Sequence, residues 1–326
     1  YVLEVFKEKS FSRAAKNLYI SQPSLSASIK RIEDKLSAPI FDRSTTPISL
    51  TACGEEYVRI ANEMNSAEEN FIAYTKNLKG LKTGKLVLGG TNLNISYVLP
   101  SILEEYRKTF PNIVVHLEER NIEELEQALD LGEIDFLIDS SDLDQNRFSS
   151  YIYQNESVIM AIPKFYKCNE ELSSYRLSRR DVILDKHLKE DFPILPLNLV
   201  ADEKFILLKE TSDTYKRVES LFAKYDIQPS VHLHLDQQSS AFSLACAGLG
   251  ITFISDTLVK NSSFHPNLCY YKIDTNLSAR HIQFHKKTSL FNCNLLPYKF
   301  YHIFQLKVNR KMNNFLIFSR NFSFYF

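Results

Sequence analysis

The stretch SQPSLSASIKRIEDKL, residues 21–36, decides the fold of the N-terminal part of this chain. Ser21 is suited to cap a helix, and Pro23 falls in the first turn, where its missing N–H group costs no hydrogen bond. Apolar residues then recur at intervals of 4, 3 and 4 positions, which predicts a helix with one buried stripe. The predicted stripe consists of Leu25, Ile29, Ile32 and Leu36.

Two shorter helices are predicted before this one, the first containing Val2–Phe6 and the second covering Phe11–Leu18. Short helices joined by a tight turn are typical of a helix-turn-helix, whose recognition helix enters the major groove of DNA by its N-terminal end. Arg31 is placed for a phosphate, although Glu33 or Asp34 could pair with it instead. The candidate DNA contacts on the recognition helix are Gln22, Pro23, Ser24, Ser26, Lys30 and Arg31.

A wing is predicted after the recognition helix. Pro39–Phe41 and Ile48–Thr51 are two short apolar strands, and the loop between them places Arg43 to meet a phosphate or the minor groove. Residues 1–52 carry eight basic and five acidic side chains, so the electrostatic signal for DNA binding is weak. A generic three-helix bundle with solvated serines is the alternative interpretation.

The same residues carry a family resemblance. They form the segments SFSRAA (10–15), ISQPSLS (20–26), IKRIE (29–33) and APIFDR (38–43), followed by Leu50-Thr51 and Gly54. This collinear pattern resembles the N-terminal signature of LysR-type transcriptional regulators, and the resemblance implies a winged helix-turn-helix that binds DNA. Two places depart from the pattern: Ser37 replaces the usual glycine, and Ala27-Ser28 stand where many members carry Arg-Gln.

One long helix with a seven-residue repeat is predicted from Gly54 to Leu78. Its apolar a/d seam consists of Tyr57, Ile60, Met64, Ala67, Phe71, Tyr74 and Leu78. Such a seam is typical of a helix that pairs with another helix, although docking on the chain's own domain is the alternative. The resemblance implies that two subunits dimerise through this helix and that dimers pair into a tetramer. A two-fold dimer requires an inverted-repeat operator.

The chain beyond Gly84 alternates strands with helices in two βαβαβ sets, one of which includes a helix over Ile95–Lys108. This order predicts two parallel-sheet lobes joined by strands near residues 157–162 and 268–273. The architecture resembles the effector-binding domain of the same regulators, which is similar to a periplasmic binding protein. The expected boundaries are 1–54 for the winged helix-turn-helix, 55–83 for the linker helix and hinge, 84–162 with 267–306 for the first lobe, 163–266 for the second lobe, and 307–326 for a basic, aromatic tail.

Ligands of such α/β folds bind beyond the carboxyl ends of the strands, which places an effector site between the lobes. In the first lobe, the loop Gly89–Asn92 offers N–H groups and hydroxyls that could hold an anion. The alternative is that these polar residues only cap helices. The candidate effector-binding residues are Thr91, Asn92, Thr211, Ser212, Asp236 and Gln237.

Composition and motifs exclude other classes of protein. Basic and acidic residues balance at 39 each, and 44% hydrophobic with 24% charged residues is typical of a globular chain. The five cysteines are scattered, which argues against a zinc site or disulfides and indicates a reducing compartment. Nucleophile-elbow, zinc-peptidase and phosphate-loop motifs are missing from the sequence. His232 and His234 have no further metal ligand beside them. Because both the catalytic motifs and a metal-ligand set are missing, we expect no enzymatic activity, metal or cofactor.

The setting is expected to be the cytoplasm. No apolar run approaches the roughly 18–20 residues of a membrane span, and Glu4 and Lys7 interrupt any signal-peptide core. Because the sequence begins at Tyr1 inside a helical pattern, a few native residues are expected to precede it.

Together these features predict a transcription factor that binds an operator as a dimer or tetramer and responds to a small molecule between two lobes. RNA polymerase is a further candidate partner. The rival class is a solute-binding receptor of the periplasmic type, which would carry an export signal and no DNA-binding module.

Overall fold

The computed structural model describes residues 1–78, 84–263 and 265–288, and the side chains of residues 66, 69–70 and 73–78 are not part of that description. Predictions for the hinge at 79–83, for the first lobe after residue 288 and for the tail at 307–326 lie outside the described residues.

Three helices and a two-stranded wing form the N-terminal module. Its elements are α1 (Val2–Glu8), α2 (Phe11–Asn17), α3 (Gln22–Leu36), β1 (Phe41–Asp42) and β2 (Ser49–Leu50). The hydroxyl of Ser10 accepts a hydrogen bond from the N–H of Arg13 (3.4 Å), and that of Ser21 accepts one from the N–H of Ser24 (3.2 Å). These two caps determine where α2 and α3 begin.

The predicted stripe of α3 is buried only in its first half. Leu25 and Ile29 are fully buried and Ile32 is partly buried, but Leu36 is 45% exposed. Leu36 lies in the last turn of the helix, beyond the core of the module. The helix ends at Ser37, which adopts the left-handed φ of 54° that glycine takes without steric cost.

The linker helix α4 (Ala52–Leu78) begins directly after the wing and packs its first turns on the N-terminal module. Val58 is fully buried in the core of that module, and Tyr57 packs against it. Glycine is required at position 54, because a Cβ there would lie 2.0 Å from the carbonyl oxygen of Ile40.

The remaining elements build two lobes. Residues 84–163 form β3 (Gly84–Gly90), α5 (Asn92–Tyr97), α6 (Leu99–Thr109), β4 (Ile113–Glu119), α7 (Ile122–Asp130), β5 (Phe136–Asp139) and β6 (Phe148–Pro163). Residues 168–287 form α8 (Cys168–Glu171), β7 (Arg176–Leu177), α9 (Arg179–Ile183), β8 (Lys204–Leu208), α10 (Asp213–Lys224), β9 (Ser230–Leu235), α11 (Gln238–Cys246), β10 (Ile251–Ser255), α12 (Asp256–Asn261), β11 (Leu268–Lys272), α13 (Thr275–Ser278) and β12 (Ala279–Lys287).

Strand β6 belongs to both lobes. Its first half pairs with β12, and its second half pairs with β10 and β11. The strand order through the described residues is β4-β3-β5-β12-β6-β10-β8-β9, with β11 also beside β6 and β7 beside β11.

The two predicted parallel sets are confirmed, and antiparallel strands complete each sheet. The two βαβαβ sets are parallel as expected, but β12 runs antiparallel to β5 and β6, and β10 runs antiparallel to β6. The chain crosses between the lobes through β6 and returns through β12, so these neighbours run in opposite directions. Each lobe therefore contains a mixed sheet.

The return to the first lobe also comes later than the predicted boundary at residue 267. Strand β11 pairs with the second half of β6 and with β7, so it lies in the second lobe. Its side chains Leu268 and Tyr270 are buried there against Ala161 and Leu177. Pairing across the sheet, which the sequence does not display, decides this assignment.

The single helix predicted over Ile95–Lys108 is two helices. α5 ends at Tyr97 and α6 begins at Leu99. Pro100 lacks the N–H group that a helix interior needs, so it is tolerated in the first turn of α6 and interrupts a longer helix.

A buried ion-pair network joins the crossing strands to the second lobe. The guanidinium of Arg280 in β12 contacts Glu156 in β6 (Nε to Oε2, 2.5 Å) and Asp213 at the start of α10 (Nη1 to Oδ2, 2.8 Å). Arg280 is 7% exposed and Glu156 2% exposed. Burial raises the pKa of Asp213, but Arg280 and Arg217 more than offset this and leave that pKa below its usual range. Asp213 is therefore ionised at neutral pH.

We expect Glu156→Gln to lower the free energy of unfolding by about 3–5 kcal/mol, because it leaves a buried guanidinium with one carboxylate partner instead of two. Urea denaturation followed by circular dichroism measures this. The control is Glu104→Gln, which removes an exposed pair with Lys108 (2.7 Å) and should leave the midpoint unchanged. An unchanged midpoint for Glu156→Gln would show that the network does not stabilise the fold.

Candidate functional site

The first candidate site is the solvent-facing side of α3. Of the six predicted DNA contacts on this helix, the exposed ones are Gln22, Pro23, Ser24, Lys30 and Arg31, and Ser26 is half-buried. Within the described residues Arg31 makes no ion pair, so it is not paired with Glu33 or Asp34. Hydroxyl, amide and basic groups on this side can donate to base edges and phosphates.

Arg43 has a structural role that the sequence does not predict. Its guanidinium lies 3.0 Å from Oε2 of Glu33 and 5.3 Å from the centre of the Phe11 ring. The other carboxylate oxygen of Glu33 accepts hydrogen bonds from the N–H groups of Ile40 (2.8 Å) and Phe41 (3.3 Å). Glu33 and Arg43 thus hold the wing against the end of α3. The Arg43 side chain is 47% exposed, and its contact with DNA stays a prediction.

The linker helix exposes part of the predicted seam. Tyr57 packs against the core of its own module, as the docking alternative expected. The exposed members of the seam are Ile60, Met64, Ala67 and Phe71. The side chains of Tyr74 and Leu78 lie outside the described residues. An apolar surface is therefore available from Ile60 onward.

The second candidate site is a cavity of about 290 Å³ between the two lobes. It lies at the carboxyl ends of β3, β5, β8 and β9, the position expected for α/β folds. Five of the six predicted effector-binding residues line it: Thr91, Thr211, Ser212, Asp236 and Gln237.

Asn92 is the predicted residue that does not line this cavity. Its amide nitrogen donates to Glu119 (3.1 Å), and its amide oxygen accepts from the hydroxyl of Ser239 in α11 (2.8 Å). The side chain is therefore occupied by a hydrogen bond between the lobes, at one side of the cavity.

The alternative that these polar residues merely cap helices does not hold for three of them. Thr91, Ser212 and Gln237 are the N-cap residues of α5, α10 and α11, but none makes a side-chain capping hydrogen bond. Among the described residues, the side chains of Ser212 and Gln237 remain available to a ligand, whereas the hydroxyl of Thr91 donates to Asp139 (3.3 Å) and accepts from Asn94 (3.2 Å).

The cavity has further polar lining that the sequence does not predict: Asn94, Arg120, Asn121, Glu123, Asp139, Ser140, Ser141, Asp213, Thr214, Gln238 and Arg280. Asp139 is the last residue of β5. Thr91 is selected because ligands bind beyond the carboxyl ends of the strands, and the same rule applied to β5 would find Asp139. Arg280 offered no comparable signal, because β12 is not predicted from the sequence.

Asp139 is the most buried carboxylate of the cavity, at 8% exposure. One of its oxygens accepts hydrogen bonds from the N–H (3.0 Å) and the hydroxyl (2.6 Å) of Ser141. The other lies 3.3 Å from both Thr91 Oγ1 and Asn94 Nδ2. Burial raises the pKa of Asp139 above its usual value, and the hydrogen bonds from Ser141 and the charge of Arg280 oppose this only in part. The anion expected at the loop Gly89–Asn92 would meet this carboxylate, so the geometry disfavours that expectation.

A cluster of potential metal ligands lies elsewhere in the second lobe. Nε2 of His187 is 2.9 Å from Asp256, and the carboxylates of Asp185 and Asp256 lie near it. The ammonium group of Lys260 contacts both carboxylates at 2.7 Å and takes the place that a cation would need. This cluster is therefore an ion-pair network. The two predicted strand histidines, His232 and His234, are both exposed.

Over residues 1–78, 84–263 and 265–288, each helix is too short or too polar to cross a bilayer.

Two family models match this chain. Residues 1–55 match the model described as "Bacterial regulatory helix-turn-helix protein, lysR family", and residues 79–285 match the "LysR substrate binding domain". Together they cover the module that holds α3 and the two lobes that enclose the cavity.

Comparisons with individual relatives and solved structures agree with the two family matches. The chain is 27% identical over 278 residues to the uncharacterized HTH-type transcriptional regulator YcgK of Bacillus subtilis, covering 84% of this chain and 83% of the relative. In fold it is similar to a full-length OxyR variant from Pseudomonas aeruginosa (TM-score 0.63, 17% identity, 94% and 95% of the two chains). It is also similar to full-length CbnR in complex with its target DNA (TM-score 0.58, 17% identity, 95% and 97%).

We expect Arg43→Ala to lower the free energy of unfolding by about 1 kcal/mol, because the substitution removes both the ion pair with Glu33 and the contact with the Phe11 ring. Thermal unfolding measures the change. Lys30→Ala is the matched control, since Lys30 is exposed and has no ion-pair partner among the described residues. Equal midpoints for the two variants would contradict the structural role of Arg43.

Proposed function

Because the chain belongs to the LysR family of transcriptional regulators, DNA-binding proteins with an effector-binding domain, we propose that it binds an inverted-repeat operator as a homodimer and that a small molecule between the lobes changes this binding. The observation that carries the proposal is the exposed first turn of α3, capped by Ser21 and offering amide and hydroxyl groups.

The DNA-binding residues are proposed from position and chemistry. Gln22 and Ser24 lie in the first turn of α3, the end of a recognition helix that faces base edges. Lys30 and Arg31 lie further along the same side, where a cationic side chain meets phosphate. Arg43 is proposed to contact the DNA backbone from the wing while it stays bound to Glu33.

Dimerisation is proposed through the exposed part of α4. Met64 is 68% exposed and Phe71 67% exposed, seven positions apart on one helix. Large apolar side chains at this spacing are suited to packing against a second helix. A two-fold pair of modules then requires two operator half-sites related by inversion.

The wider assembly is part of the proposal. We propose that dimers pair into a tetramer, that the bound protein contacts RNA polymerase and that it acts in the cytoplasm, where its DNA target lies. The cavity is proposed to bind its ligand without converting it. The N-terminal module distinguishes this proposal from a solute-binding receptor.

For DNA binding, we expect Lys30→Ala to weaken operator affinity and to reduce the slope of log affinity against log salt by about 1, because one phosphate contact is lost. Fluorescence anisotropy with a DNA fragment from the chain's own promoter region measures both quantities. The control is Lys108→Ala, on the exposed side of α6 in the first lobe. Failure of the wild-type chain to bind that fragment would contradict the proposed function.

Arg43→Ala belongs in the same titration. If its operator affinity and its salt slope both equal those of the wild type, the wing contact is wrong and Arg43 serves the fold alone.

For the dimer, we expect Met64→Glu and Phe71→Glu to shift the chain toward monomer, because each places a charge in the apolar seam. Analytical ultracentrifugation measures the shift. The matched control is Asn65→Glu, which puts the same charge on an exposed position beside the seam. A wild-type chain that stays monomeric, or an Asn65→Glu variant that dissociates equally, would contradict the assignment.

A further inference from the structure

The carboxylate of Asp139 faces the cavity between the lobes, and no cation of the described residues contacts it. Its hydrogen-bond donors are the hydroxyls of Ser141 and Thr91, one N–H group and the amide of Asn94, all of them neutral. Within the described residues it makes no ion pair, although it is 8% exposed. A buried carboxylate ordinarily has a cation beside it, because desolvation of an unpaired charge is costly.

A second atom beside Asp139 also lacks a donor. Asn94 is 1% exposed and lines the same cavity, and its amide nitrogen donates to Asp139. Its amide oxygen accepts no hydrogen bond from the described residues. Buried polar atoms are nearly always paired, so this oxygen marks a place where a donor is missing.

The positive charges of the cavity are already neutralised. Arg280 is held by Glu156 and Asp213, and Arg120 is held by Glu118 (3.1 Å) and Glu133 (3.2 Å). Neither guanidinium is left over for an anionic ligand.

The other two carboxylates that line the cavity are either exposed or paired. Glu123 is exposed to solvent, and the carboxylate of Asp236 pairs with Lys209 at 2.7 Å. Among the described residues, Asp139 is therefore the buried acidic group of the cavity that no cation contacts.

We propose that the effector carries a protonated amine, which binds Asp139 and the amide oxygen of Asn94. An ammonium group supplies three donors and one positive charge, which match a carboxylate and an orphaned amide oxygen. The rest of a small molecule would reach the hydroxyls of Thr211 and Ser212 across the cavity. This inference rests on the proposed function, because it names the chemistry of the ligand in the effector cavity.

The test uses pairs of compounds that differ only in an amine replaced by a hydroxyl. Suitable probes are L-alanine with L-lactate, L-serine with L-glycerate, and 1,4-diaminobutane with 1,4-butanediol, within a panel of the common amino acids and short diamines. Thermal shift and isothermal calorimetry on the full chain at neutral pH measure binding. At least one amine should bind, and its hydroxyl partner should bind at least about tenfold more weakly, as expected for the loss of a charge-assisted hydrogen bond. This comparison needs no variant.

Asp139→Asn keeps the shape of the side chain and removes its charge. Affinity for the amine should fall by at least about tenfold, while Glu124→Gln, an exposed carboxylate that does not line the cavity, should leave it unchanged. The proposal is overturned if no amine in the panel binds, if carboxylic acids without an amine bind instead, or if Asp139→Asn binds the amine as well as the wild type does.

Operator binding separates this inference from the proposed function. If the wild-type chain binds its operator and a carboxylic acid but no amine, the proposed function stands and the proposed amine site is wrong. A chain that binds an amine through Asp139 but binds no DNA supports the site and contradicts the regulator.

Discussion

The effector-binding half of the chain depends on the ion pairs of one buried guanidinium, that of Arg280. It lies where β12 runs beside β6, in contact with Glu156 and Asp213. Because loss of either carboxylate would leave the buried guanidinium with one partner instead of two, both strands and the start of α10 must keep their relative positions. Asp213 also lines the cavity, so the ion pairs that join the lobes shape the effector site as well.

Helix α7 links this cavity to the DNA-binding half of the chain. Asn121 and Glu123 at its beginning line the cavity. Leu131, directly after its end, packs against the core of the N-terminal module, and its carbonyl oxygen accepts a hydrogen bond from Asn62 of α4 (2.8 Å). The segment of α7 and Leu131 therefore touches the effector site at one end and the linker helix at the other, which provides a contiguous physical connection between the two sites.

Much of the local structure could be predicted from the sequence, because periodicity and capping act over a few residues. The three N-terminal helices, the linker helix and the parallel strands of both lobes follow from such patterns. The errors have long-range causes. Leu36 fits the stripe of α3 but lies beyond the core, and β12 escapes prediction because its partners β5 and β6 are more than a hundred residues away in sequence.

The candidate sites divide in the same way. Thr91, Thr211 and Asp236 could be chosen from the sequence because each follows a strand that the pattern already locates. The sequence by itself determined the family, the order of the modules and the general position of the cavity. Only the tertiary structure decided which charges pair: Arg43 pairs with Glu33 and Arg280 pairs with Glu156 and Asp213, while Asp139 makes no ion pair with any described residue. Pairing depends on distance in space, and residues far apart in the chain carry no local signal of their neighbours.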